Sequence, residues 1–167
     1  MSLRKLPEAK VFPPAKNFQW DSPSDVLDKW ASAPVAAVDD QPGSISILEV
    51  IGEDWWTGEG VTAKRIDAAL RKIGNHDVVV KINSPGGDMF EGIAIYNLLR
   101  GHKAKVTVEI AGLAASAASI IAMAGDEIRM GLGSFAMIHK PWGGVVGEDV
   151  DFLAAYELFK TFTSALV

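Results

Sequence analysis

A chain of 167 residues, 49% hydrophobic and 22% charged, holds enough apolar material for one domain with a core and too little length for two large ones. Its net charge of −5 argues against nucleic acid or an anionic membrane surface as the partner. With no cysteine, disulfides, thiol nucleophiles and cysteine metal sites are excluded, and the three histidines (His76, His102, His139) lack metal-ligand spacing, so neither metal nor cofactor is expected.

The opening MSLRKLPEAK lacks the apolar run of a secretory signal. Six of the eight prolines follow, at positions 7, 13, 14, 23, 34 and 42, so residues 1–43 read as a Pro-rich arm without long regular elements. A short helix over Asp25 to Ala33, capped by Ser24 with Trp30 on its apolar face, is compatible with that stretch. The arm either packs on the body, reaches a neighbour or stays a tail. Trp55-Trp56 reads as a core contact at a strand end or as a partner-binding patch.

From residue 44 to 167 the pattern is that of one domain. Ser44 to Ile51 alternates as a strand, and Thr62 to Ile73 is helical with Ile66, Ala69, Leu70 and Ile73 at core spacing. Val78 to Asn83 is a strand stopped by Ser84-Pro85-Gly86-Gly87. Met89 to Arg100 is a helix expected to turn Phe90, Ile93, Ala94 and Leu98 inward. Lys105 to Ile110 is a strand, and the small-residue run Gly112 to Ser119 leads into an apolar helix. Ile110 to Ala124 is shorter than the roughly 20 residues of a membrane span, so it reads as buried helix and no membrane partner is expected. Short strands at Glu127 to Met130 and Ser134 to His139 precede an amphipathic helix from Asp149 to the end.

This β-α alternation predicts an α/β fold with a mainly parallel sheet, whose ligand site lies beyond the strand C-termini. Ser84–Gly87, Gly112–Ser116 and His139 all fall at that edge. Ser116, with small neighbours and near a helix N-terminus, is a candidate nucleophile, and His139 a candidate base. Gly86-Gly87 and the N–H of Ala117 are candidate oxyanion donors. Each feature has a bland reading as well: Ser116 as a cap or packing residue, His139 as a satisfied strand-end group, Pro-Gly-Gly as a turn. Ser84, before a proline, and Ser119, deeper in the helix, are weaker nucleophile candidates.

The motifs Ile82-Asn83-Ser84-Pro85-Gly86-Gly87, Gly112-Leu113-Ala114-Ala115-Ser116 and Met137-Ile138-His139-Lys140-Pro141-Trp142-Gly143-Gly144 resemble the Clp-type serine peptidases in order and spacing, over roughly Ser44 to Gly147. Glu59 to Ile66 and the Ala-Ile-Tyr-Asn-Leu-Leu-Arg run ending at Arg100 resemble the phage branch, the Clp-like head-maturation (prohead) proteases. The resemblance implies a Clp/crotonase-like fold of repeated β-β-α units, and a serine endopeptidase working without an unfoldase. It implies Ser116 as nucleophile, His139 as base, and Gly87 and Ala117 as backbone oxyanion donors. Gly86 matches a substrate-binding position, and Val145-Val146 match the segment that lines up substrate or pairs rings. The implied partners are polypeptide substrates, scaffold or capsid protein among them, and further copies of the chain in a homo-oligomeric ring in the (host) cytoplasm. The family's third triad member, an Asp beyond the long helix, has no matching position. The chain is therefore expected to be a fragment that stops within its last helix, or a crippled form. A non-catalytic assembly subunit, a signal-peptide-peptidase-like Ser-Lys enzyme using Lys81 or Lys140, and a crotonase-like acyl-CoA enzyme are the alternatives.

Overall fold

The structure, a computed structural model, describes residues 43–53 and 60–165. Residues 1–42 of the expected arm, with the helix at 25–33, and the Trp55-Trp56 pair lie outside the described residues. Strand β1 (Ser44–Ile47) leads through α1 (Ala63–Ile73) to β2 (Val78–Ser84), then α2 (Met89–Arg100), β3 (Val106–Ala115), α3 (Ala117–Ala122), β4 (Glu127–Met130), β5 (Phe135–Met137) and α4 (Asp149–Ala165). The strands form one five-stranded sheet in the order β1-β2-β3-β4, all neighbours parallel, with β5 also parallel to β3. Ala114 pairs with Ser84 of β2 and with Ala136 of β5, so β5 lies on the same side of β3 as β4. The α/β fold with a parallel sheet is as expected.

Period-2 burial explains the sheet. In β2, Val78, Val80, Ile82 and Ser84 are buried while the intervening residues are half-buried. Ile47, Ile82 and Ile110 from successive strands meet Ile95, Leu99 and Ile121 from the helices in one core cluster. Thr62 caps α1 by accepting the Arg65 N–H on its side chain, and Asp88 caps α2 by accepting that of Glu91. The Glu91 carboxylate in turn accepts the Ala63 N–H at 2.5 Å, tying the starts of the two helices together.

Four sequence expectations are corrected. First, β1 ends at Ile47 rather than Ile51. The Glu49 carbonyl accepts the Ser84 hydroxyl, and Ile51 makes isolated bridges to Val61 and Gly87. Second, Ile110 to Ala115 is strand, and the helix is only six residues long. The Ala/Gly run would suit a helix, but pairing to β2 on one side and β5 on the other overrides that local preference. Third, α2 buries Gly92, Ile95 and Leu99, while Phe90 stands 60% exposed. Gly92 lies directly against α3: a Cβ there would sit 2.9 Å from the Ala117 Cβ, so this row faces inward. The last strand is likewise shorter than its expected span, covering only Phe135–Met137.

Candidate active site

Strand β3 hands the chain to α3 through a single residue, Ser116, at φ 52° and ψ −122°. It is the one non-glycine residue with positive φ among the described residues. Such a conformation costs on the order of 1–3 kcal/mol and persists only where its surroundings over-determine it. Here the Ser116 N–H donates to the Met137 carbonyl of β5 (2.9 Å). The Ser116 carbonyl accepts both the Ser119 N–H (2.9 Å) and the Ser119 hydroxyl (2.6 Å). A sharp strand-to-helix turn of this kind pushes a serine hydroxyl clear of the backbone. Ser116 is half-buried between buried Ala115 and Ala117, and Ser119 is buried with its hydroxyl committed.

His139 follows β5, two residues beyond the carbonyl that holds Ser116. Its Nε2 lies 2.8 Å from Ser116 Oγ, and its Nδ1 lies 2.7 Å from the Lys140 carbonyl oxygen. A carbonyl only accepts, so the proton of the neutral ring belongs on Nδ1, leaving Nε2 to accept the Ser116 hydroxyl. Among the described residues His139 has no carboxylate partner; the Lys140 carbonyl stands where a triad acid would orient the ring. Pro141 after Lys140 biases that residue towards extended backbone. The hydrogen bond of Ser116 goes to a histidine ring and not to a lysine amine.

The third element is the loop after β2. Gly86 (φ +96°) lies against the turn so closely that a Cβ would sit 2.6 Å from the Ala115 carbonyl oxygen, 2.7 Å from Ser116 Cβ and 3.0 Å from the Ala117 nitrogen. Its N–H donates to Ser84 Oγ (3.2 Å) and its carbonyl accepts the Ile51 N–H (2.8 Å). The next link is the Asp88 N–H to the Ile51 carbonyl (2.8 Å). In this parallel bridge Gly87 (φ +145°) presents neither of its own groups to Ile51, so its N–H is turned to the other side. Ala117 opens α3, where a first-turn N–H has no intrahelical acceptor.

Ser116, His139, Gly86, Gly87 and Ala117 are thus brought to one place at the C-terminal edge of the sheet. Val145 and Val146 are not tied to it by any hydrogen bond among the described residues: both lie in the segment between β5 and α4, with Val146 fully exposed. Sequence reasoning missed the Met137 and Lys140 carbonyls, because backbone groups carry no residue signature. A charge cluster lies elsewhere among the described residues, towards the opposite end of β3. There Arg129 and Lys105 hydrogen-bond the Glu127 carboxylate and pull its pKa down to about 2. No group of acidic or histidine side chains among the described residues could hold a metal ion.

Comparison with known proteins identifies the family. The chain is 41% identical over 88 residues to the ATP-dependent Clp protease proteolytic subunit of Ligilactobacillus salivarius, covering 51% of this chain and 45% of that protein. It is 36% identical over 87 residues to the subunit of the same description from Bacteroides thetaiotaomicron, covering 50% and 40%. The chain therefore spans less than half the length of these curated relatives. A solved ClpP1 mutant from Listeria monocytogenes superposes with a TM-score of 0.62 at 19% identity, over 86% of this chain and 71% of that one, a likeness of fold. The family model described as Clp protease matches residues 62–166, motifs and turn included, and the chain belongs to that family.

Proposed function

We propose that this chain is a Clp-type serine endopeptidase, with Ser116 as nucleophile and His139 as general base. The observation that carries the reading is the 2.8 Å contact between His139 Nε2 and the hydroxyl of a serine held at a strained strand-to-helix turn. His139 Nε2 takes the Ser116 proton as Oγ attacks a peptide carbonyl, and the resulting imidazolium keeps its Nδ1–H on the Lys140 carbonyl. The N–H groups of Gly87 and Ala117 receive the developing oxyanion. His139 then returns the proton to the leaving amine, the acyl-Ser116 ester forms, and a water activated by the same ring releases it. The Val145-Val146 segment aligns the substrate backbone, while Gly86, whose N–H and carbonyl are taken by Ser84 and Ile51, acts only by seating its loop against Ser116.

At the finer level the chain belongs with the phage head-maturation branch, cutting scaffold or capsid polypeptide without an unfoldase, as a homo-oligomeric ring in the host cytoplasm. The Glu59–Ile66 and Ala94–Arg100 stretches support that assignment. A second reading, a non-catalytic assembly subunit, draws support from the exposed Phe152, Leu153, Tyr156 and Leu158 on α4. A fluorophosphonate probe separates the two. Covalent labelling of Ser116 is expected, absent in Ser116→Ala and slowed about 10²- to 10⁴-fold in His139→Ala. Labelling that survives Ser116→Ala, or a wild-type protein that never labels, overturns the catalytic reading. Cleavage of unfolded casein without ATP is expected from the same preparation, and a strict ATP requirement would remove the unfoldase-independent role.

A further inference from the structure

Ser84 is fully buried at the end of β2, where the register with β3 shifts between Ile82 and Ser84. A buried hydroxyl is costly unless paired, and both capacities of this one are used. It donates to the Glu49 carbonyl (2.6 Å) and accepts the Gly86 N–H (3.2 Å). Its proton is therefore committed and its oxygen faces a backbone amide, which removes it as a nucleophile. What it touches instead is the first of two consecutive glycines in positive-φ conformations, a pair with little stiffness of its own.

The Gly86 carbonyl is held by Ile51, and Asp88 beyond is held by Ile51 as well. The Gly86 N–H is held by Ser84 alone among the described residues. This bond consumes the Gly86 donor, which leaves Gly87 as the glycine with an N–H to offer. It also anchors the upstream end of the loop that carries that donor past Ser116 and Ala117.

We infer that Ser84 is a positioning residue of the oxyanion site: its hydroxyl holds the Pro85–Gly86 amide, and Ile51 holds the carbonyl of the next peptide, so that together they fix the torsions of Gly86 and aim the Gly87 N–H at the oxygen of the tetrahedral intermediate. The inference rests on the serine-peptidase reading and adds to it a residue that touches neither substrate nor His139. Its signature is loss of transition-state stabilisation without loss of substrate binding.

The test uses Ser84→Ala, with the fluorophosphonate labelling rate and kcat and KM for labelled casein as readouts. Outright removal of an oxyanion donor costs about 10²- to 10³-fold, so misaiming one is expected to lower kcat and the labelling rate together by roughly 10- to 100-fold. KM is expected to stay within about twofold, and the pH dependence of labelling to superimpose on the wild type. A labelling rate within about threefold of wild type overturns the inference, as does a KM that rises as far as kcat falls. Should the alanine variant not fold, Ser84→Cys keeps the shape with a weaker donor and acceptor. A selective fall in kcat then supports the inference, and wild-type kinetics overturns it. A wild-type protein that does not label overturns the peptidase reading together with this inference; a labelling wild type with an unaffected Ser84→Ala overturns this inference alone.

Discussion

The strain at Ser116 can be measured apart from any activity by comparing two variants that both lack the hydroxyl. Ser116→Ala and Ser116→Gly each lose the bond to His139 Nε2, so that loss cancels in the comparison. Both keep the backbone bonds to Met137 and Ser119. They differ at Cβ, which in alanine still meets the penalty of φ 52° and ψ −122° and in glycine does not. Relief of about 1–3 kcal/mol is offset by about 0.5–1 kcal/mol of extra chain entropy that glycine loses on folding. The glycine variant should therefore be more stable by up to about 2.5 kcal/mol, with a midpoint of about 1 kcal/mol, or about 2–4 °C in melting temperature at that midpoint for a chain of this size. Differential scanning calorimetry at one protein concentration reads the gap directly. An alanine variant that melts at or above the glycine variant would refute the claim that the turn is strained and held there by its partners. Neither variant should label, so stability and activity separate in one experiment.

Two further outcomes follow from the same geometry. Gly86→Ala drives a methyl to 2.6 Å from the Ala115 carbonyl oxygen at a φ of +96°; we expect loss of labelling and destabilisation of about 2–4 kcal/mol by chemical denaturation, and a variant that labels at the wild-type rate would show that the loop does not seat against Ser116 as described. Glu127, held down to about 2 from an ordinary 4.5 by Arg129 first and Lys105 second, contributes a stability that is fully present above about pH 4.5 and lost as pH falls through its folded value; Glu127→Gln should flatten that part of the acid-unfolding curve, and an unchanged curve between pH 4.5 and 2 would contradict the ion-pair geometry.

Much of the domain is legible in residue order because its signals are local. The strand from Val78, the helix from Met89 to Arg100 and the spacing of Ile66 and Leu70 depend on neighbours within a few positions, and the structure reproduces them. The errors occur where distant partners decide. Gly112–Ala115 carries a helix-friendly composition but is strand, because β2 and β5 flank it. The inward face of α2 is shifted from Phe90, Ile93 and Ala94 to Gly92, Ile95 and Leu99, with Leu98 packed half-buried against the core as expected, because Gly92 permits an approach to Ala117 that spacing alone does not reveal.

The site divides in the same way. From residue types and order alone, Ser116, His139 and the glycine pair could be nominated, since side-chain chemistry and glycine's freedom are properties of the residues themselves. Distance could not be, nor the state of each hydrogen bond. That His139 Nε2 is free to accept from Ser116 depends on where the Lys140 carbonyl falls, and that Ser84 binds the loop rather than a substrate depends on where Glu49 and Gly86 fall. A backbone carbonyl looks the same at every position in a sequence. Only folding gives it a neighbour, and so only the tertiary structure determines which serine meets a histidine ring and which one bonds the glycine loop.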